Sequence, residues 1–152
     1  MRTIFLISLI FLYGCSTGGE SNNTPIKCDL HYKDNSSKFL PLEKAFTVEA
    51  SRPSKNNIKV NIQITPDYFV YKHRFKITPQ NNSFVLLDTT LPSGTPVYDN
   101  NFRKTVDIFC STFEFEVLIE PQDTPITFEL LFQGGAQNGG LAYPPTKKTF
   151  TL

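Results

Sequence analysis

The side chains most able to do chemistry in this chain are three cysteines, Cys15, Cys28 and Cys110, and two histidines, His31 and His73. Cys28-Asp29-Leu30-His31 sets two soft ligands three residues apart. A metal centre needs three or four such groups to converge. The spacing of His73 and Cys110 does not demand that, so no metal and no cofactor is expected. Two histidines without a nucleophile motif give no legible Ser-His-Asp arrangement. The glycines of Gly134 to Gly140 are followed by neither Lys-Ser/Thr nor a helix start, so they are not a phosphate loop. Glu114 and Glu116 share the outward parity of a strand, which is ordinary solubility patterning. What remains is sulfur chemistry, and each cysteine has to be placed before its role is legible.

Arg2 followed by the apolar run IFLISLIFLY (4–13) reads as a secretory signal. The run is too short to cross a bilayer as a helix, which takes about 20 residues. Leu12-Tyr13-Gly14-Cys15 resembles the bacterial lipobox, which implies cleavage before Cys15 and acylation (palmitate) of that cysteine. Tyr13 is bulkier than the small residue usual at its position. Ser16 is not the aspartate that retains lipoproteins at the inner membrane. The resemblance therefore implies a lipid-anchored protein of the cell envelope, at the outer membrane and facing the periplasm. Cys28 and Cys110 are then an even pair in an oxidising compartment. A disulfide between them is expected, with two free thiols as the alternative.

Removing residues 1–14 takes away one basic residue, Arg2, and leaves 14 basic against 14 acidic side chains. With no net charge and no block of like charge, nucleic-acid binding through a basic field is excluded. Residues 15–38 are rich in Ser, Gly, Asn, Asp and Lys and have the composition of a flexible tether. Residues 39–152 have the length of one domain.

Within that domain the period is two. Ile58, Val60, Ile62 and Ile64 alternate with Lys59, Asn61 and Gln63, and Ile126, Phe128, Leu130 and Phe132 alternate with Thr127, Glu129 and Leu131. Phe46 to Ala50, Tyr68 to Tyr71, Phe84 to Leu87 and Lys148 to Leu152 also read as strands. Phe109, Ser111, Phe113, Phe115, Val117 and Ile119 share one parity, which places Cys110 on the outward face of a single strand. No 3.6-residue pattern is sustained, and 11 prolines punctuate the strands. The expected fold is all-β, an immunoglobulin-like antiparallel β-sandwich, with 14 phenylalanines supplying core bulk where tryptophan is absent.

Several stretches fall into one pattern. Phe39-Leu40-Pro41 with Ala45-Phe46, Pro66 to Lys72 running into Ile77-Thr78-Pro79, Leu91-Pro92-Ser93-Gly94 with Phe102, and Phe128 to Pro145 stand in the order and spacing of one family. The chain resembles the N-terminal periplasmic domain of the thiol:disulfide interchange protein DsbD over roughly residues 39–152. That family passes electrons to periplasmic disulfide oxidoreductases through two hairpin cysteines, one after Gln-Gly and one before Tyr-Pro-Pro. Carried over by residue, those positions are Gly135 and Ala142, and the loop between them is one residue longer than usual. The family's acidic pair falls on Asn100 and Asn101. Its shielding phenylalanine falls on Phe102, and its neighbouring aromatics on Phe69 and Tyr71. Thiol–disulfide exchange needs a thiolate, which neither glycine nor alanine supplies, so no catalytic residue is assigned and the chain is not expected to be an enzyme of the family's kind.

The resemblance implies a periplasm-facing lipoprotein whose domain binds a periplasmic protein, of thioredoxin-like class as in the family, at the hairpin and cap end. Phe69, Tyr71, Phe102 and Tyr143 are the candidate contacts, with core packing as the other account of the same aromatics. Two further readings compete: a redox protein in which Cys28 and Cys110 replace the lost pair, and a structural envelope lipoprotein unrelated to thiol chemistry.

Overall fold

Alternating apolar residues make a strand amphipathic, and two such faces bury each other. The computed structural model describes residues 28, 30 and 39–152. The readings on Cys15, on His31 and on the signal and tether apart from Cys28 and Leu30 lie outside them. A one-turn helix α1 (Leu42–Ala45) is followed by β1 (Phe46–Ser54), β2 (Asn57–Ile64), β3 (Tyr68–Tyr71), β4 (Lys76–Pro79), β5 (Leu86–Thr90) and β6 (Thr95–Asp99). The chain continues through β7 (Lys104–Phe109), β8 (Phe113–Ile119), β9 (Thr127–Phe132), β10 (Gly134–Ala136) and β11 (Thr146–Thr151). All strand pairs are antiparallel, as the sandwich reading expects.

One layer has the order β1-β2-β8-β5. The opposite layer is in two parts, β10-β3-β7-β6 and β11-β9-β4. The 3-10 turn Lys72–Arg74 separates β3 from β4, and Gln133 separates β9 from β10. A hydrogen bond from Tyr71 N to Gln133 O (2.9 Å) ties the two parts at this seam. Between the layers lie Phe46, Val48, Ile58, Val60, Ile62, Phe115, Val117 and Ile119 from one side, and Tyr68, Val70, Ile77, Phe128, Leu130 and Phe132 from the other. Each fully buried large apolar side chain contributes roughly 1.5–3 kcal/mol. Glu114 stays on the exposed face, where Lys59 pairs with it at 2.7 Å.

Three local departures from the sequence pattern affect the site. The parity run from Phe109 to Ile119 is two strands, with residues 110–112 carrying the chain from one layer to the other, and Phe109, Phe113, Phe115, Val117 and Ile119 all keep to the main core across the crossing. Cys110 stands outside the main core, on the side that parity expects, but it is buried there at 5% exposed, because a second cluster covers that side. Thr95 to Asp99 forms β6 and makes a hairpin with β7, so the cap is the turn of a two-stranded ribbon. In the run Phe84 to Leu87 only Phe84 is buried, and a register shift between Leu86 and Asp88 leaves Val85, Leu86 and Leu87 exposed on an edge strand.

Candidate functional site

β3 is apolar on both faces. Tyr68 and Val70 point into the main core. Phe69 and Tyr71 point the other way, into a second cluster with Val106, Ile108 and Cys110, against which Cys28, Leu30, Val97 and Phe102 pack. Three of the candidate aromatics thus meet: Phe69 and Tyr71 ring centroids are 4.9 Å apart, Tyr71 and Phe102 5.3 Å, both edge-to-face, the arrangement that ring quadrupoles favour. The His73 ring centroid stands 5.4 Å from that of Phe102, and the Arg74 guanidinium lies 5.0 Å from the Phe102 centroid, within reach of a cation–π contact. Burial, then the neighbouring charges of Arg74 and Lys104, hold the His73 imidazole below its ordinary 6.5.

Tyr143 does not join this group. It packs against Phe46 (5.7 Å) and Tyr68 (6.3 Å) at the edge of the main core, and its hydroxyl donates to Leu40 O. Burial and the adjacent Tyr68 push its phenol up to about 12. Leu40 N in turn donates to the Tyr68 hydroxyl at 2.7 Å, so the two tyrosines pin the start of the domain.

The cap is held by a carboxylate that sequence reasoning missed. Asp99 is fully buried at the end of β6. It accepts hydrogen bonds from the Tyr71 hydroxyl (2.5 Å), Asn101 N (2.7 Å) and Phe102 N (3.1 Å). The site therefore keeps an acidic group although Asn100 and Asn101 are amides. The signal was present: Asp followed by Asn-Asn is an Asx-turn pattern, and Asp99 shares the inward parity of Val97.

The glycine-rich loop closes the site from the other side. β10 pairs with β3, Gly135 opposite Phe69, and Gly135 forms an isolated bridge with Ala142. Ala136 N donates to Leu141 O and Tyr143 N to Gly134 O, both at 2.9 Å. Gly139 and Gly140 turn the tip with φ of 92° and 66°, a region that favours glycine. The two positions equated with the family's cysteines thus face each other, but unequally. Ala142 is exposed, whereas Gly135 is buried. A Cβ on Gly135 would meet Leu141 O and lie 2.7 Å from Phe69 Cζ. The Phe69 ring occupies the space a side chain at 135 would need.

Cys28 and Cys110 are joined by a disulfide, with Cα atoms 5.8 Å apart. This bridge fixes Cys28 on the second cluster, against which Leu30 also packs. Leu30 lines a cleft with Phe69, Tyr71, Asp99, Gln137 and Leu141. The space left there is about 10 Å³, at the limit of what one water requires. Among the described residues no three His, Cys, Asp or Glu side chains converge as a metal site would need.

An antiparallel sandwich with an aromatic site between a cap ribbon and a returning hairpin defines a class of immunoglobulin-like domain. The family model for the N-terminal domain of the thiol:disulfide interchange protein DsbD matches residues 36–152, and the chain belongs to that family. It is 29% identical over 147 residues to the DsbD of Cronobacter sakazakii, covering 97% of this chain and 23% of that protein. It is 32% identical over 119 residues to the DsbD of Colwellia psychrerythraea, covering 78% and 19%. The chain thus spans about a quarter or less of the length of these curated relatives. Among solved structures it is similar to the reduced DsbD N-terminal domain of Neisseria meningitidis, with TM-score 0.68 and 22% identity over 78% of this chain and 92% of that one. The same domain in complex with the PilB N-terminal domain gives TM-score 0.60 and 23% identity over 74% and 85%.

Proposed function

We propose that this chain is a non-catalytic DsbD N-terminal-type domain that binds a periplasmic protein through its cap and hairpin end. The observation that carries the reading is the pairing of Gly135 with Ala142 under a frame of cap and aromatics: no sulfur stands at either position, and the Phe69 ring fills one of them. A buried carboxylate, Asp99, is spent on holding the cap turn that presents Phe102. The neisserial domain of the same fold forms a complex with the PilB N-terminal domain, which supports protein recognition by this class. The partner expected here is a periplasmic oxidoreductase of thioredoxin-like class from the same cell.

Titration calorimetry of the chain against that candidate is the test. Phe102→Ala is expected to weaken binding about tenfold or more, the effect of losing an aromatic anchor of about 1.4 kcal/mol or above. Leu118→Ala, an exposed residue on the opposite layer, is expected to leave it unchanged. Equal affinity for wild type and Phe102→Ala would remove the cap end as the binding site.

The anchor is part of the same proposal. Acylated Cys15 holds the domain at the outer membrane, facing the periplasm, on the 15–38 tether. Labelling cells with a palmitate analogue is expected to tag the wild-type chain and leave Cys15→Ser untagged. A labelled Cys15→Ser chain, or an unlabelled wild type, refutes the anchor.

A further inference from the structure

The binding surface just described has an occupant. Phe69 and Tyr71 are 2% and 1% exposed, so neither can meet a partner while the site is closed. Part of that cover is supplied by Cys28 and Leu30, which precede the domain in the chain. Leu30 packs against the cluster that holds Phe69 and Tyr71, and the cleft it lines with them has no room for another group. Cys28 and Leu30 pack on the same cluster as Phe102. The segment has one covalent fastening there, the Cys28–Cys110 disulfide.

The main core is built from residues of β1, β2, β3, β4, β7, β8, β9 and β10 together with Ala45, Phe84 and Ile126. It contains neither cysteine. The bridge is therefore placed to hold a strap and not to hold the sandwich. Of its two sulfurs, Cys110 belongs to a buried residue and Cys28 to a half-buried one.

We infer that the Cys28–Cys110 disulfide is a redox latch on an autoinhibitory strap, in which Leu30 covers the aromatic docking cluster until a dithiol protein reduces the bridge. The inference rests on the reading that this end binds a partner. In the first step a thiolate of the reductant attacks Cys28 Sγ, the more accessible sulfur. The Cys28–Cys110 bond breaks, Cys110 leaves as a thiolate and takes up a proton, and a mixed disulfide joins Cys28 to the reductant. The reductant's second thiol then attacks its own sulfur in that mixed bond and releases Cys28 as a thiol. Two electrons and two protons have passed, the reductant ends as a disulfide, and the strap is held only by the packing of Leu30. Release uncovers Phe69 and Tyr71 beside Phe102.

The test reads the surface itself and needs no partner. Fluorescence of Nile red, a neutral apolar dye, is compared for the full chain oxidised, the chain reduced with dithiothreitol, Cys28→Ser, and Leu30→Ala with the bridge intact. Circular dichroism is recorded on each. The latch predicts a threefold or greater rise for the reduced chain and Cys28→Ser, a smaller rise for Leu30→Ala, and an unchanged β spectrum in all. No rise in the reduced chain and Cys28→Ser overturns it, as does a rise that comes with loss of the β spectrum, because the bridge would then be holding the fold. Catalytic reduction of a disulfide substrate by the chain overturns it too, since the pair would be turning over and not latching. Failure of partner binding with a positive dye result would leave the latch standing and remove only the partner reading.

Discussion

Gly135→Cys is expected to lower the unfolding free energy by about 2–3 kcal/mol, the cost of forcing a side chain into a packed site. Two obstacles stand at the position, the Phe69 ring and the Leu141 carbonyl. The ring could swing aside, but the carbonyl is backbone and already accepts from Ala136 N at 2.9 Å. Accommodating a Cβ therefore means moving the hairpin strand that holds the loop together. Ala142 is exposed, so Ala142→Cys is expected to stay within about 0.5 kcal/mol of wild type. The double variant is expected to inherit the instability of Gly135→Cys and to show no disulfide-reductase activity above background. Urea denaturation and thiol titration check this. A double variant as stable as wild type with a formed 135–142 bridge would show that the site still accommodates a redox pair.

Asp99→Ala carries the second large effect, expected at about 2–3 kcal/mol. The substitution removes one acceptor from three donors: the Tyr71 hydroxyl and the backbone N–H groups of Asn101 and Phe102. Stranding a buried donor costs about 1–3 kcal/mol. The two N–H groups lie at an exposed turn where water can replace the carboxylate, so the Tyr71 contact dominates. Asp99→Asn keeps one carbonyl oxygen and is expected to cost less. A cycle combining Tyr71→Phe with Asp99→Asn is expected to give a coupling of about 1 kcal/mol or more, the signature of direct contact. Hydrogen exchange at Asn101 and Phe102 is expected to speed up in Asp99→Ala while β2 and β8 keep their protection. Unchanged exchange at the turn would show that the cap is held by something else.

The two effects have a common origin in the way β3 is used. Its Tyr68 and Val70 belong to the core that makes the sandwich, and its Phe69 and Tyr71 to the site. One strand thus fixes the site's aromatics with the rigidity of the main core. The cap ribbon and the hairpin need only approach it from either side, one through Asp99 and the other through Gly135.

Much of this was legible without coordinates. The alternation from Ile58 to Ile64 and from Ile126 to Phe132 determined strands with one buried face, because a period of two has no other stable use in a soluble chain. The order of Pro66 to Lys72, Leu91 to Gly94 and Phe128 to Pro145 determined the family. The glycine and alanine at 135 and 142 determined that no thiolate stands there. Tertiary structure decided the rest, since each depends on where a chain turns and not on what it contains. A second cluster covers the side of Cys110 that faces away from the main core, so the residue is buried where parity along a strand registers only an outward face. The cap turn brought Asp99 under the Tyr71 hydroxyl from 28 residues away. The register of β10 on β3 set Phe69 over Gly135. Composition alone made the segment before residue 39 a tether, but within it the Cys28 disulfide and Leu30 lie on the site. Local periodicity reports which face of an element is apolar; only the packing of distant elements reports what that face meets.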